Sequence, residues 1–338
     1  MTGYHKNGAL FGTGLTAFLL LLFVIGCSPA CAAEHYKVLV VFSYEPDYFW
    51  EREIREGVED VFASAVELSY FYMNTKEDPA GGEARAAEAF ARYQALKPDG
   101  VIAADDVAQE LFVVPYLKNK VKTPVTFCGV NAEPEVYGYP AENVTGILER
   151  FHLEETLSFN RQLAGQTDTF AVMVNKSLLA DLVSTQLEKD RDKLSARLVG
   201  VLQPETLTEA VAMAKEYREK TDLLLLLTLK GVVDGQGKLV SDAEAIAAVL
   251  KAYAKPVCAT TEFVIRQGAL CGVLASGQEQ GRKAAEMLLK LLQGVALSEL
   301  PVTRNFQGER MINATVMKEL ELVPSPLALR GATLVRTQ

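Results

Sequence analysis

Two carboxylates stand side by side at Asp105-Asp106, directly after the apolar run GVIAA (100–104). Adjacent acids suggest paired-carboxylate chemistry. Alternatively, one carboxylate takes a ligand ammonium through a charge-assisted hydrogen bond. Neighbouring side chains diverge as they leave a strand end, so the better reading has one acid capping the next helix and one facing a cleft. A second group, Ser43, Tyr44, Tyr48 and Trp50, follows YKVLVVF and includes the chain's single Trp. Aromatic faces offer apolar area and a seat for a cation; Trp50 equally suits a staple between a helix start and a sheet. Asn131, after VTFCGV, offers both donor and acceptor, or an Asx turn. Further along, Asn175 and Ser177, Thr228 and Lys230, and Thr261 and Glu262 each follow an apolar run. Hydroxyls and helix-start amides hold anions, although every strand end needs polar residues. Together these nominate a grip on an amine from the first half and on a carboxylate from the second.

Enzyme signatures are missing. Gly231 to Lys238 carries glycines at the wrong spacing for a phosphate loop and lacks a Ser or Thr after the Lys. Gly277-Gln-Glu-Gln-Gly281 runs strand to helix but places Glu279 where a phosphate would sit. No G-x-S-x-G elbow or H-E-x-x-H pair is present. His152 reads as structural. No catalytic residue, metal or cofactor is expected.

The elements that must position these residues alternate. YKVLVVFS is a continuous β-branched run, as in a strand buried on both faces. Helix 49–65 carries Ile54, Val58, Val61 and Phe62 on one stripe. Strand 66–73, helix 81–96, strand 100–104, helix 106–117 and strand 124–130 complete a first α/β half. AENVTGILER (141–150) reads as an extended crossing segment. Helix 153–164 then opens a second half, with strands at 169–174, 196–202, 222–229, 256–260 and 269–275 and helices between them. A last helix at 278–293 precedes a tail of short pieces. LLLLL (223–227) is too short for a bilayer, which needs about 20 residues, and reads as a buried central strand. Strand and helix at this spacing predict parallel sheets. Two such halves predict an α/β fold of two lobes, each a parallel sheet flanked by helices, with a ligand cleft where the strand ends face each other.

The 338 residues exceed one compact core. Lys+Arg 34 against Asp+Glu 43 gives a net charge of −9 without a basic block, so no nucleic acid is expected as partner. The run LTAFLLLLFVI (15–25) behind His5 and Lys6 predicts a secretory signal peptide, residues 1–26. Val24-Ile25-Gly26-Cys27 predicts lipidation at Cys27 and a lipid anchor on a bacterial membrane. Ala30-Cys31-Ala32 or Cys31-Ala32-Ala33 would instead release a soluble exported protein. Of the remaining cysteines, Cys128, Cys258 and Cys271 each lie in an apolar segment and read as buried small hydrophobes; a Cys258–Cys271 disulfide is the alternative.

The stretches SYEPDYFWEREIREGV (43–58), NTKEDP (74–79), PDGVIAADDVAQEL (98–111), TPVTFCGVNAEPE (123–135), NVTGILE (143–149), GALCGVLASGQEQGRKAAEMLLKLLQG (268–294) and INATVMKELELVPSPL (312–327) carry a collinear resemblance. The chain resembles the ABC-transporter substrate-binding protein family that includes tryptophan- and tyrosine-binding lipoproteins. It is still more similar to the variant found in bacterial sensory proteins. The resemblance implies a type I periplasmic-binding-protein fold, with lobe 1 as 36–147 plus 276–303 and lobe 2 as 148–275 plus 304–338. It implies a monomeric binder of a small molecule that serves an ABC permease, or a sensor kinase without transport. Family members binding amino acids tend to carry a Thr-containing turn after the third strand and an Asp-Pro after the fourth. Here Asp105-Asp106 and Asn131-Ala132-Glu133-Pro134 stand instead, so the resemblance does not fix tryptophan or tyrosine as the ligand.

Overall fold

The computed structural model describes residues 36–62 and 66–337. The leader 1–26 and Cys27 lie outside the described residues.

The first half holds β1 (Tyr36–Phe42), α1 (Phe49–Phe62), β2 (Val66–Tyr72), α2 (Gly82–Leu96), β3 (Gly100–Ala104), α3 (Asp105–Ala108), β4 (Val125–Val130) and β5 (Val144–Leu148). The second holds α4 (Leu153–Ala164), β6 (Thr169–Met173), α5 (Leu178–Asp190), β7 (Arg197–Leu202), α6 (Leu207–Arg218), β8 (Leu223–Leu226), α7 (Asp242–Tyr253), β9 (Val257–Ala259), α8 (Glu262–Arg266) and β10 (Cys271–Leu274). Then come α9 (Gly277–Leu292), β11 (Thr303–Arg304), β12 (Glu309–Asn313), α10 (Ala314–Glu319), α11 (Pro326–Leu329) and β13 (Ala332–Val335).

One sheet runs β11-β5-β4-β3-β1-β2 and is parallel throughout. The other runs β13-β12-β10-β9-β8-β6-β7, with only β10 and β12 antiparallel. The chain passes from one sheet to the other after β5, β10 and β11. This is a two-lobed α/β architecture, each lobe a mostly parallel sheet flanked by helices.

Burial explains the strands. Val38 to Phe42 of β1 and Leu223 to Leu226 of β8 have no exposed surface, because helices cover both faces of each sheet. Each such side chain contributes about 1.5–3 kcal/mol of transfer energy. The apolar stripe of α1 (Trp50, Ile54, Val58, Phe62) is buried. The α1–α9 contact is made by bare backbone. A Cβ on Gly281 would lie 1.9 Å from the Ile54 carbonyl oxygen, and one on Gly57 2.2 Å from that of Gln278. Although α9 follows the second half in sequence, this contact fastens it to the first lobe.

Three elements differ from the sequence expectation. Segment 141–150 contains β5, an inner strand of the first sheet rather than only a crossing piece. Helix 106–117 is a four-residue α-turn followed by a wider π-helical stretch, Gln109–Leu117, in which Pro115 brings no N–H to the ladder. Strand β8 stops at Leu226, and Thr228 has already left the sheet. Cys258 and Cys271 pair across β9 and β10 as buried thiols, their sulfurs 3.5 Å apart. Among the described residues no helix is long and apolar enough to cross a membrane.

Candidate ligand-binding site

Strand β3 ends at Ala104 and the chain turns at once, leaving Asp105 at φ +67°, a strained region for a non-glycine residue. Its neighbours over-determine that conformation. The Trp50 indole Nε1 donates to Asp105 Oδ1 at 2.9 Å. Gly129 gives the carboxyl room, since a Cβ there would lie 2.5 Å from Oδ1. The Ser43 hydroxyl donates to the Ala104 carbonyl at 2.7 Å and accepts from the Ala108 amide at 2.9 Å, sewing the end of β1 onto α3. Asp105 is only 3% exposed, and its Oδ2 has no hydrogen-bond partner. Buried polar atoms are rarely left so. Burial first, then the charge of Glu51, pushes the Asp105 carboxyl well above the usual range.

Asp105 borders a cavity of about 260 Å³. Tyr44, Tyr48, Phe49, Trp50, Lys76, Asn131 and Glu149, which follow strands of the first sheet, border it too; Phe151, Thr260, Thr261 and Leu274 come from the second half of the chain. Tyr44 and Tyr48 meet edge to face with centroids 5.5 Å apart. Lys76 Nζ lies 4.0 Å from one ring centroid and 4.4 Å from the other, a cation over two π faces. Asn131 Nδ2 donates to Glu149 Oε2 at 3.0 Å. Burial, and after it the Asp105 charge, pushes Glu149 up to about 8. Across the cavity, Thr260 is 7% exposed and its hydroxyl is also unpartnered. The cavity lining thus includes, on opposite sides, two residues with a buried polar atom that has no hydrogen-bond partner, Asp105 and Thr260. Among the described residues no group of His, Cys, Asp and Glu is placed to hold a metal ion.

The family model for ABC transporter substrate binding proteins matches residues 57–333. The chain belongs to that family. A tyrosine-binding protein of Clostridioides difficile (strain R20291) is 24% identical over 185 residues, 54% of this chain and 51% of the relative, so the match spans about half of that protein's length. Among solved structures, the fold matches a ligand-free, open substrate binding protein with adhesive properties from Clostridium difficile. The TM-score is 0.68 at 19% identity, covering 90% of this chain and 100% of the other. It also matches an ABC domain in complex with L-Trp from Streptococcus pneumonia, with a TM-score of 0.55 at 17% identity, covering 89% and 100%.

In this substrate-binding protein the structure gathers Tyr44, Tyr48, Trp50, Asp105, Asn131 and Thr261 around one cavity. Thr228, Thr261 and Glu262 border an adjoining recess of about 530 Å³, with Tyr48 and Phe49. Three nominated residues turn elsewhere. Ser43 is buried in the turn it fastens. Asp106 does not cap α3. It accepts from the Asn131 and Ala132 amides and the Tyr137 hydroxyl at 2.9, 3.1 and 2.9 Å, holding the loop after β4. Asn175 is bound within its own lobe, to Thr228 through its backbone and Ser177 through its side chain. His152 is buried beside the lobe crossings and bonded to Asn305 at 2.8 Å.

Lys76, Glu149, Phe151 and Thr260 were not nominated. Lys76 and Glu149 follow β2 and β5. The strand-end rule that found Asp105 reaches both once NTKEDP and NVTGILE are read as strand ends. Thr260 differs from Thr261 by one position, which periodicity cannot resolve at a three-residue strand.

Proposed function

We propose that this chain is the solute-binding component of an ABC-type importer and takes a small amine-bearing, amino-acid-like molecule into the cavity between its lobes. The unpartnered Asp105 Oδ2 carries the reading. An ammonium there supplies the missing donor and forms a charge-assisted bond out of bulk water. Among the described residues lining the cavity, Lys76 is the basic one, suited to a ligand carboxylate. The edge-to-face Tyr44 and Tyr48 and the Phe151 ring suit an apolar body. The tyrosine-binding relative and the L-Trp complex support an amino-acid-like ligand; the acid pair favours the amine as its indispensable part.

Capture brings Thr260 and Thr261 down on a ligand already seated on Asp105. The lobes, 36–147 plus 276–303 and 148–275 plus 304–338, rotate about the three crossing segments, a population shift driven by contacts made only in the closed form. The family works outside the cytoplasm, and the leader with lipidation at Cys27 fits an anchored binder that hands its solute to a permease.

Native mass spectrometry of the protein as purified, followed by thermal-shift screening against amino acids, amines and nucleosides, tests the reading. A retained or stabilising amine supports it. A panel without any stabilising compound overturns it. Intact-mass measurement of membrane-extracted protein decides the anchor: a diacylglyceryl adduct on Cys27 is expected, and a free N-terminus beyond Cys31 rules it out.

A further inference from the structure

Behind Asp105 lies a second acid that the cavity does not touch. Glu51, in the first turn of α1, has no exposed surface. Its Oε1 accepts from the Tyr44 amide at 2.8 Å, and its Oε2 has no donor. Asp105 mirrors it, with Oδ1 taken by Trp50 and Oδ2 unpartnered. The two carboxyls are close neighbours, each shifting the other's ionisation, and neither free oxygen has a donor. Two ionised carboxylates have four acceptor oxygens and no proton between them. Such a pairing holds only if one acid is protonated.

We propose that Glu51 and Asp105 share one proton, and that Glu51 thereby sets the charge the pair offers the cavity: a single negative charge, matched to a ligand monocation. This rests on the amine-binding reading above and adds its regulation. As an ammonium reaches Asp105 Oδ2, the proton settles on Glu51 Oε2, and Asp105 presents a full carboxylate without a second buried charge appearing behind it. A second proton on the pair leaves it neutral and closes the site to cations.

The surroundings fit. Tyr44, Tyr48 and Glu45 face the pair from the turn after β1, Lys76 from the end of β2, Asp106 from α3, Cys128 from β4 and Glu149 from the end of β5. Lys76 is the single cation among them, against three further acids. Burial, as the leading cause, pushes Glu51 up to about 7, so the pair gains or loses its second proton near neutrality.

Trp50 reports on this without any ligand, because the chain's one Trp donates directly to Asp105. A pH titration of the intrinsic fluorescence of the ligand-free protein should show a step centred near pH 7. Glu51→Gln keeps the acceptor for the Tyr44 amide but removes the titrating acid, so the step should vanish while circular dichroism is unchanged. Wild-type emission without that step, or a step that survives in Glu51→Gln, overturns the proposal. If Glu51→Gln fails to fold, carboxyl carbon NMR of the wild-type protein decides: two carboxyls titrating as a coupled pair support it, and independent titrations near ordinary values overturn it. With tyramine as probe, wild-type affinity should rise by up to about tenfold per pH unit below the midpoint, and Glu51→Gln should lose that slope. An equal slope in both overturns the coupling. Tyramine failing to bind at any pH counts against the amine reading, while the fluorescence step still decides the shared proton.

Discussion

The two lobes meet the same cavity with different means. The first brings charge and aromatic rings, held rigidly: Asp105 at a strained backbone position, Trp50 fixed to it, and Gly129 opened for it. The second brings Thr260, Thr261, Leu274 and Phe151, neutral and with one idle hydroxyl. Its other polar strand ends are spent inside the lobe: Thr228 donates to Asp242 at 3.0 Å, and Asn175 is tied to Thr228. The contrast suits the proposed function, in which the first lobe recognises and the second closes. A charge on both sides would leave one buried and unpaired in the empty protein, at several kcal/mol. Glu51 and Asp105, both on the first lobe, are placed for the shared proton proposed above.

The comparison breaks first at packing. Gly281→Ala forces a methyl into the Ile54 carbonyl and should destabilise the protein by about 3 kcal/mol in urea unfolding. Gly235→Ala in the second lobe meets nothing within 4 Å and should change stability by less than about 0.5 kcal/mol. Equal effects would show that the close approach of α9 to α1 is not what fastens α9 to the first lobe.

Next comes recognition. Asp105→Asn should weaken an identified amine ligand by about 10- to 100-fold in calorimetry, the measure of a charged hydrogen bond. Unchanged affinity would move recognition out of the first lobe.

The acid pair also makes a stability prediction. Glu51 ionises near 4.5 when exposed and near 7 when folded. Its raised value favours the folded state fully below the exposed value, and that contribution is lost as pH rises through 7. Stability of the ligand-free protein should therefore fall between those pH values by up to about 3 kcal/mol. Glu51→Gln should flatten the fall in thermal denaturation.

Smaller effects belong to the second lobe. Thr260→Val removes an unsatisfied hydroxyl and should stabilise the empty protein by about 1 kcal/mol, while weakening the ligand by less than Asp105→Asn does. Asn175→Ala should leave affinity within about twofold.

Much of this was legible in the residues. Two sets of alternating strand and helix, the double burial of YKVLVVF and LLLLL, and the collinear family stretches sufficed for two α/β lobes. Period-two and period-3.6 patterns are local, and backbone hydrogen bonding enforces them locally. The strand-end rule placed Tyr44, Tyr48, Trp50 and Asp105 at one rim, because parallel strands all end on the same side.

What the sequence left undecided was direction and partnership. Asp105 and Asp106 are chemically identical neighbours. Only the positive φ at one, the open face of Gly129 and the loop amides waiting for the other send the first into the cavity and the second into a turn. Glu51 reads as one more exposed acid on an amphipathic helix until α1 is laid on the sheet. Burial then removes its water, and Asp105, 54 positions away, becomes its partner. Sequence determined which residues stand at the rim; the tertiary structure decided which buried acid stands behind Asp105, because that depends on distances and dielectric set by packing between segments far apart in the chain.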